Sequence, residues 1–599
     1  MMADGIAEAA PEKIARDFST TNVQIQAVDE ADIIKTDGNY IYTVSNNMLF
    51  IIKAYPGEDA KKISTTKFKN NPTNLFINGN KLVVFGTEHN PNFIRHIAPQ
   101  SSTTYLRVYD ISNKANPKLE KTYHFEGNFF KARMIDDTVY LLTQSGIYDR
   151  PVNPVPLVFE DEAVREISHR DVYVFDMPYN NPRLVSVHAL DLNDLDTKTK
   201  ILTVDGNPDL FMSENNIYIT ARQYITDWQI RQKINIELLS EHLTDEDKDR
   251  IIKINNADED ILSQAEKKAK EERIIQSYYH RLSDEQQREH NDILNDKTQE
   301  ELAKYEYIEY TSITKMSVDK QNLNFVATNK VPGFINNQFS LDEYEGVLRV
   351  ATTAQPRIRG KSRWQSRGST RNNVYTLDEN LNHLGELTGL AEGERIFSTR
   401  FIKDRLYMVT FRQVDPFFVI DLSNPRNPKE MGQLKIPGFS RYLHPFDDNH
   451  IIGIGRDATA EGRQQGLKVS LFDVTDIRNP KETAKFVASG KYTSSIAEWE
   501  HKAFLFSKEK ELLVIPARSH TGQKFNGGMV FKINEEEIEL KGIVDHAENE
   551  RYYSFSMERS LYIEELLYTK SKNLLRINRI DDLESVNKVA LVEEEYRVV

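Results

Sequence analysis

The chain has 599 residues, no cysteine, a formal charge of −14, and a hydrophobic fraction of 39% that includes 29 Phe and 27 Tyr. The lack of cysteine excludes disulfides, thiolate catalysis, zinc–cysteine sites and iron–sulfur clusters. The acidic balance argues against a general nucleic-acid binder, which needs a basic face.

Residues 1–22 read as a flexible or weakly helical lead-in. They hold no apolar run and several acids, so they are expected to be neither a signal peptide nor a membrane anchor. No later stretch reaches the roughly eighteen apolar residues of a membrane span. The β signal begins at Val23. Asp32 to Lys35, Tyr40 to Ser45, Met48 to Tyr55 and Lys61 to Phe68 are short apolar or aromatic runs, separated by Asp37-Gly38-Asn39, Asn46-Asn47 and Pro56-Gly57. Such runs with turn chemistry between them predict antiparallel strands in chain order. Four of them, up and down, make one blade of a β-propeller.

This grammar recurs. The turn between first and second strands is read at Asp37-Gly38, Asn78-Gly79, Asp136-Asp137, Asn215-Asn216, Glu345-Gly346, Lys403-Asp404, Asp448-Asn449, Glu500-His501-Lys502 and Glu558-Arg559. Most spacings are about forty to sixty residues, the length of one blade. A second signature is VIDLSNPRNPKE at Val419 to Glu430, which returns at Phe472 to Glu482 and, loosened, at Val108 to Glu120. Asp110, Asp421 and Asp473 each stand seven residues before a proline, Pro117, Pro428 and Pro480. The aspartate suits a turn hydrogen-bonded to nearby backbone, and the proline ends the strand ladder. These aspartates read as turn residues between third and fourth strands, not as catalysts.

Two insertions interrupt the pattern. Gln144 to Leu184 is proline-rich, then acidic, and reads as a long loop with a short extra strand at Asp171 to Phe175. From about 224 to 305 the β pattern gives way to Glu, Lys, Gln and Leu at helical spacing. Thr244 with Asp247, and Ser283 with Glu285 and Gln286, are helix-start signals, and three helices are expected. They either pad the ring or form a docking arm. The expected organisation is a lead-in (1–22), a first propeller part (23–223), the helical insertion (224–305) and the remaining propeller (306–599). The fold class is all-β: a closed propeller of nine four-stranded blades, or of eight if the first and last units share one blade.

Functional candidates lie where the repeat is broken. Asp29, Glu30, Asp32 and Asp37 form the densest acidic group near a strand start. Calcium wants several oxygen ligands from converging loops, so these four are the metal candidates; the plainer reading is strand-start capping, with no cofactor. His444, Asp447, Asp448 and His450 read as a hydrogen-bonded turn, with a metal site as the alternative. Arg357, Arg359, Arg363, Trp364, Arg367 and Arg371 form a local positive loop between two strands. Arginines with an aromatic suit a protein or other acidic ligand; the alternative is a solvated loop. No nucleic-acid module, nucleophile elbow, phosphate loop or dinucleotide fingerprint is present.

Four stretches carry a family resemblance: NVQIQAVDEADIIKTDGNYIYTVS (Asn22 to Ser45), ERIFSTRFIKDRLYMVTFRQVDPFFVIDLSNP (Glu394 to Pro425), LHPFDDNHIIGIGRD (Leu443 to Asp457) and ERSLYIEELLYT (Glu558 to Thr569). They resemble the archaeal and bacterial secreted β-propeller family, distantly related to WD-repeat propellers. The resemblance implies a propeller with a charged helical insertion and an extracellular or cell-envelope location. It supplies no catalytic residues. The functional expectation is therefore a non-enzymatic binding scaffold. The alternative is a hydrolase or lyase whose active site is assembled from loops at the channel mouth, marked by His, Asp, Glu and Arg of several blades meeting there.

Overall fold

The computed structural model describes residues 15–591, apart from 90, 92–101, 148–154, 162, 166, 176–180, 259–261, 263, 358–367, 412–414, 460–462, 521–523 and 548–555. It is a ring of nine antiparallel blades. Their cores span 34–67, 72–126, 128–205, 208–332, 341–390, 395–436, 439–487, 494–545 and 557–590. We number them 1 to 9. Blades 1 and 9 each hold four strands of their own, so no blade is shared at the seam.

The ring closes through side chains. Nine apolar clusters each join one blade to the next, and one of them closes the circle by packing Ile41, Phe50 and Ile52 of blade 1 against Leu561, Tyr568 and Ile577 of blade 9. Fully burying one such side chain contributes about 1.5–3 kcal/mol, against at most about 1 kcal/mol for an exposed ion pair. These inter-blade cores therefore dominate ring stability. The second-strand tyrosines Tyr42, Tyr140, Tyr218, Tyr407 and Tyr568 are all fully buried. Tyrosine suits this place because its apolar ring fills the gap, and in two of the five its hydroxyl also ties neighbouring blades together. Tyr140 donates to the Lys320 carbonyl in blade 4 (2.8 Å), and Tyr568 donates across the seam to the Ala54 carbonyl in blade 1 (2.6 Å).

The Asp–Pro signature is the turn between third and fourth strands. Asp110, Asp421 and Asp473 accept from the backbone N–H two residues on, at Ser112, Ser423 and Thr475 (2.8, 2.9 and 2.8 Å). Seven of the nine expected first-to-second turns fall between the strands as read. Glu558-Arg559 instead lies inside the first strand of blade 9, Met557–Ile563, and the turn follows at Glu564-Glu565. Glu500-His501-Lys502 is not a turn either. The first strand of blade 8 is split into Ser494–Ser495 and Leu505–Ser507, and residues 496–504 bulge inward opposite only Ile515 and Pro516. A polar triplet aimed at the channel reads in sequence like a turn.

Alternating strand direction places every second-to-third connection on one face of the ring, together with the links between blades. That face carries the insertions. In blade 3, Val172–Tyr173 pairs in parallel with Ile201-Leu202, the extra strand expected there, while the hairpin of Val158–Glu160 and Ala163–Arg165 extends the outer edge of blade 2. Blade 4 carries four helices where three were expected: α1 (Asp227–Glu241), α2 (Asp245–Asn255), α3 (Gln264–Arg281) and α4 (Asp284–Leu302). Thr244 caps α2, the helix start expected there, and Ser283 with Gln286 forms a capping box on α4. The arm has its own small core of Ile234, Leu238 and Leu294 beside Leu239, Leu243 and Ile275.

Gly455, in the second strand of blade 7, is where backbones approach most closely: a Cβ there would meet the Phe439 carbonyl oxygen at 1.8 Å. Gly455→Ala should therefore destabilise by about 1–3 kcal/mol through a forced backbone shift, read as a lower denaturant midpoint. An unchanged midpoint would mean that the strand pairing is looser than described.

Candidate functional site

The axial channel is lined by the first strand of each blade. A nine-blade ring leaves a wide hole, and residues 15–32, which we call the strap, run through it. Phe18 bridges Ile563 in blade 9, and the Ser19 N–H donates to the Tyr562 carbonyl (3.0 Å). The Asn22 amide donates to the Tyr442 hydroxyl of blade 7 (3.0 Å) and to the His501 carbonyl of blade 8 (2.8 Å). The Gln24 amide donates to the carbonyls of Gln338 (3.1 Å) and Leu341 (2.9 Å) on blade 5. Asp29–Glu30 then adds a short strand to the inner edge of blade 3, opposite Met134 and Arg133, and Asp32 pairs with Leu75 of blade 2.

The first strands share a local device that aims polar groups at the strap. Register slips by one residue at Pro72/Asn74, Phe129/Lys131, Ile396/Ser398, Ser440/Tyr442 and Met557/Arg559. Such bulges re-aim the following side chain. Tyr442 meets the strap at Asn22, Arg559 meets it at Asp32, and Asn74 and Lys131 line the channel beside it.

Two strap carboxylates are buried here. Glu30 is 3% exposed and Asp32 2%. Glu30 accepts from the Gln338 amide (3.1 Å), lies 3.1 Å from His501 Nε2 and is 3.4 Å from the Arg133 guanidinium. Arg133 also donates to the Gln338 amide oxygen (3.1 Å). Burial alone would raise the Glu30 carboxyl, but Arg133, His501 and Lys502 together hold it well below the usual carboxylate range. Asp32 accepts from Arg559 Nε at 2.9 and 3.0 Å; burial pushes it up, and Arg559 and Lys502 bring it below its ordinary value. The Lys502 ammonium donates to the Ala31 carbonyl (3.0 Å).

Of the four acids expected to hold a metal, none shares a ligand set with another. Glu30 and Asp32 have the cationic partners just described. Asp29 pairs with Lys35 (2.5 Å). Asp37 caps its turn by accepting from the Tyr40 N–H (2.7 Å) and the Tyr42 hydroxyl (2.8 Å). Of the arginine run, Arg359, Arg363, Trp364 and Arg367 lie outside the described residues. Arg357 sits at the root of the arm, 3.5 Å from Asp227 in the first turn of α1, and Arg371 is 3.8 Å from Glu392. The segment 444–450 splits. His444 packs against Phe504 of blade 8 and touches the Tyr442 hydroxyl (3.1 Å), whereas Asp447 and His450 form the turn (3.0 Å). Among the described residues Asp447, His450 and Glu535 come close enough to hold an ion, but Lys508 already bridges Asp447 (2.6 Å) and Glu535 (3.1 Å).

Sequence reasoning missed Lys131, Arg133, His501 and Arg559. The signal was present as a basic residue inside an otherwise apolar first strand, as in FFKARMI and MERSLYI. The strap splits the channel into two chambers. One, of about 400 Å³, opens toward the insertion-bearing face, where first strands begin; Phe129, Lys131, Asp209, Trp499 and Glu500 line it. The other, of about 270 Å³, lies toward the tight turns and is lined by Thr20, Lys35, Phe504 and Leu561.

Glu30→Gln would leave Arg133 and His501 facing a neutral group in a buried site. The expected cost is about 3–5 kcal/mol, measured by denaturant unfolding; a loss below about 1 kcal/mol, the scale of a surface pair, would contradict the burial of this cluster. Acid should act in the same direction. Burial holds the His188 and His546 imidazoles down at about 3. Their folded values lie below the unfolded value of about 6.5, so the unfolded chain binds the extra protons. Stability is therefore full above about pH 6.5 and falls as pH drops, by about 2 kcal/mol per histidine at pH 5. A pH-independent unfolding free energy between 7 and 5 would contradict this. A chelator should leave the melting temperature unchanged, since the strap acids already have protein partners; a lowered melting temperature would return the metal reading to Asp29, Glu30, Asp32 and Asp37.

Comparison with known proteins agrees with this architecture. The family model described as "Beta propeller domain" matches residues 18–583. An uncharacterized protein of Methanocaldococcus jannaschii is 32% identical over 581 residues, covering 96% of this chain and 83% of its own. An uncharacterized protein of Archaeoglobus fulgidus is 31% identical over 582 residues, covering 96% of this chain and 85% of its own. The match begins inside the strap and ends in blade 9, and this chain belongs to the beta propeller domain family.

Proposed function

We propose that the ring is a non-enzymatic binding scaffold that presents its insertion-bearing face to a partner, outside the cell or at its envelope as the family resemblance suggests. The observation that carries this reading is the concentration of departures from the repeat on one face. The helical arm of blade 4, the long connection of blade 3 and the arginine-bearing connection of blade 5 all leave from it, and the larger channel chamber opens toward it. The opposite face has the repeated short turns. A rigid ring with variable loops on one end suits recognition. The arm adds exposed apolar groups, with Trp228 at 65%, Ile252 at 55% and Ile293 at 43% exposure. Among the described residues no helix is long and apolar enough to cross a membrane.

One observation favours the second reading, a hydrolase or lyase at the channel mouth. Glu30, Arg133 and His501 meet in the channel from the strap, blade 3 and blade 8. Against it, Arg133 and His501 are both engaged by Glu30, and all three groups are buried.

The arm leaves the ring between Tyr224 and Glu309, which pair with each other, so residues 227–302 can be replaced by a short linker. The shortened ring should melt close to the intact protein. Both forms are then used to capture partners from native envelope and secreted fractions. The scaffold reading expects at least one partner to be lost with the arm. Identical recoveries would remove the arm from the binding face, and turnover of a hydrolysable substrate by the purified ring would favour the enzyme.

A further inference from the structure

We propose that the helical arm binds a carboxylate-bearing sugar, a uronate ring of an acidic glycan, in the cleft between α1, α3 and α4. This deepens the scaffold reading and rests on it.

The cleft has a volume of about 300 Å³. Trp228, Arg231, Gln232 and Asn235 stand at positions i, i+3, i+4 and i+7 of α1, so they share one face of the helix. An adjoining face carries Ile234 and Leu238 into the small core of the arm. Tyr279 of α3 and Asn291 of α4 complete the walls, and the buried Leu294 lines the cleft with them. Trp228 is 65% exposed although it stands beside this core.

The cleft holds one cation without a counter-charge. Arg231 donates to the Asn295 amide oxygen and makes no ion pair among the described residues. Among the described residues no carboxylate lines the cleft. Asp227, one turn before Arg231, is taken by Arg357 (3.5 Å). Burial, Arg231 and His242 together hold the neighbouring His290 imidazole below its ordinary value, and no acid counters them there. A guanidinium in this state suits a carboxylate, which it grips through two parallel hydrogen bonds. One guanidinium matches one carboxylate. It does not match a phosphate dianion on an arm whose residues 227–302 include twenty acids against twelve basic residues.

The neutral groups beside Arg231 suit hydroxyls. Asn235 gives its Oδ1 to His290 Nε2 (2.7 Å) and keeps its Nδ2 donors. Asn291 donates Nδ2 to the Tyr279 hydroxyl (2.9 Å) and keeps its Oδ1 acceptor. The Gln232 amide has no hydrogen-bond partner among the described residues and offers both. Donors and acceptors therefore lie side by side. A run of hydroxyls, each donor and acceptor at once, satisfies that pattern. The Trp228 indole offers an electron-rich face to the C–H face of a pyranose ring. The volume is at the lower end for ligand pockets and suits one ring.

The chain has three tryptophans, so in the full-length protein carrying Trp364→Phe and Trp499→Phe the remaining indole, Trp228, reports on the cleft. The probes are methyl glucuronide, its uncharged counterpart methyl glucoside, and cyclohexanecarboxylate, which keeps a ring and the charge but lacks hydroxyls. Each is titrated by Trp228 fluorescence and by ligand saturation-transfer NMR. The proposal expects saturable binding of the glucuronide, and at least tenfold weaker binding of the other two. Arg231→Gln should abolish the preference for glucuronide over glucoside. Trp228→Ala, followed by NMR, should weaken glucuronide binding at least tenfold, with thermal unfolding showing both variants folded. Equal binding of the glucoside or of cyclohexanecarboxylate, a preference that survives Arg231→Gln, unchanged binding by Trp228→Ala, or no binding of the glucuronide would each overturn it. If the sugar fails while replacement of the arm still costs a captured partner, the scaffold reading stands without this site.

Discussion

A closed ring of nine blades leaves a hole too wide for its first strands to fill, and the strap fills it. This constraint sets much of the chemistry at the axis. A segment that crosses the hole must satisfy its backbone, and it does so by pairing in turn with blades 9, 3 and 2 while Asn22 and Gln24 reach blades 7, 8 and 5. It also brings two carboxylates into a dry interior, where an unpaired charge is far too costly to keep. The first-strand bulges and the inward excursion of blade 8 answer that cost by directing Arg559, His501 and Lys502 at the axis, with Arg133 two residues beyond the bulge of blade 3. The strap also does work usually done by a shared blade. Blades 1 and 9 are separately complete, so the seam relies on their apolar cluster, on Tyr568, and on strap contacts to blade 9.

The two faces differ for an equally simple reason. Up-and-down strands put both turns within a blade on one side and the long connections on the other. The turn side is constrained by the Asp–Pro geometry and by close approaches between neighbouring blades, such as Gly385 against the Pro425 carbonyl. The other side carries a helical arm with its own small core and an arginine-rich loop, while the long connection of blade 3 adds Val155, Val158 and Ile167 to the core between blades 2 and 3.

The fold was legible because its signals are local. Turn pairs such as Asp37-Gly38 and Lys403-Asp404, placed as read in seven blades, and the aspartate–proline spacing of blades 2, 6 and 7 need no knowledge of what packs where. Blade number became definite only with the seam, where Ile41 and Leu561 meet from opposite ends of the chain. The axial cluster was half legible. Glu30 and Asp32 stood out as an acidic group, but their partners Arg133, His501 and Arg559 lie about 100 to 530 residues away in the chain. Nothing in a linear pattern pairs them. His501 was read as part of a turn because polar triplets and turns look alike until the strand on either side is seen to resume. The arm was recognised by helical spacing and by the helix starts at Thr244 and Ser283, but three helices were counted where the chain forms four.

The central claim is that the strap is an integral part of the closed ring and not a tail resting in it. Hydrogen exchange followed along the chain tests this directly. The account predicts that amides of residues 18–32, above all Ser19, Glu30 and Asp32, exchange as slowly as those in the first strands of blades 3 and 9 and only with opening of the ring. Rapid exchange of the strap while those strands stay protected would contradict it.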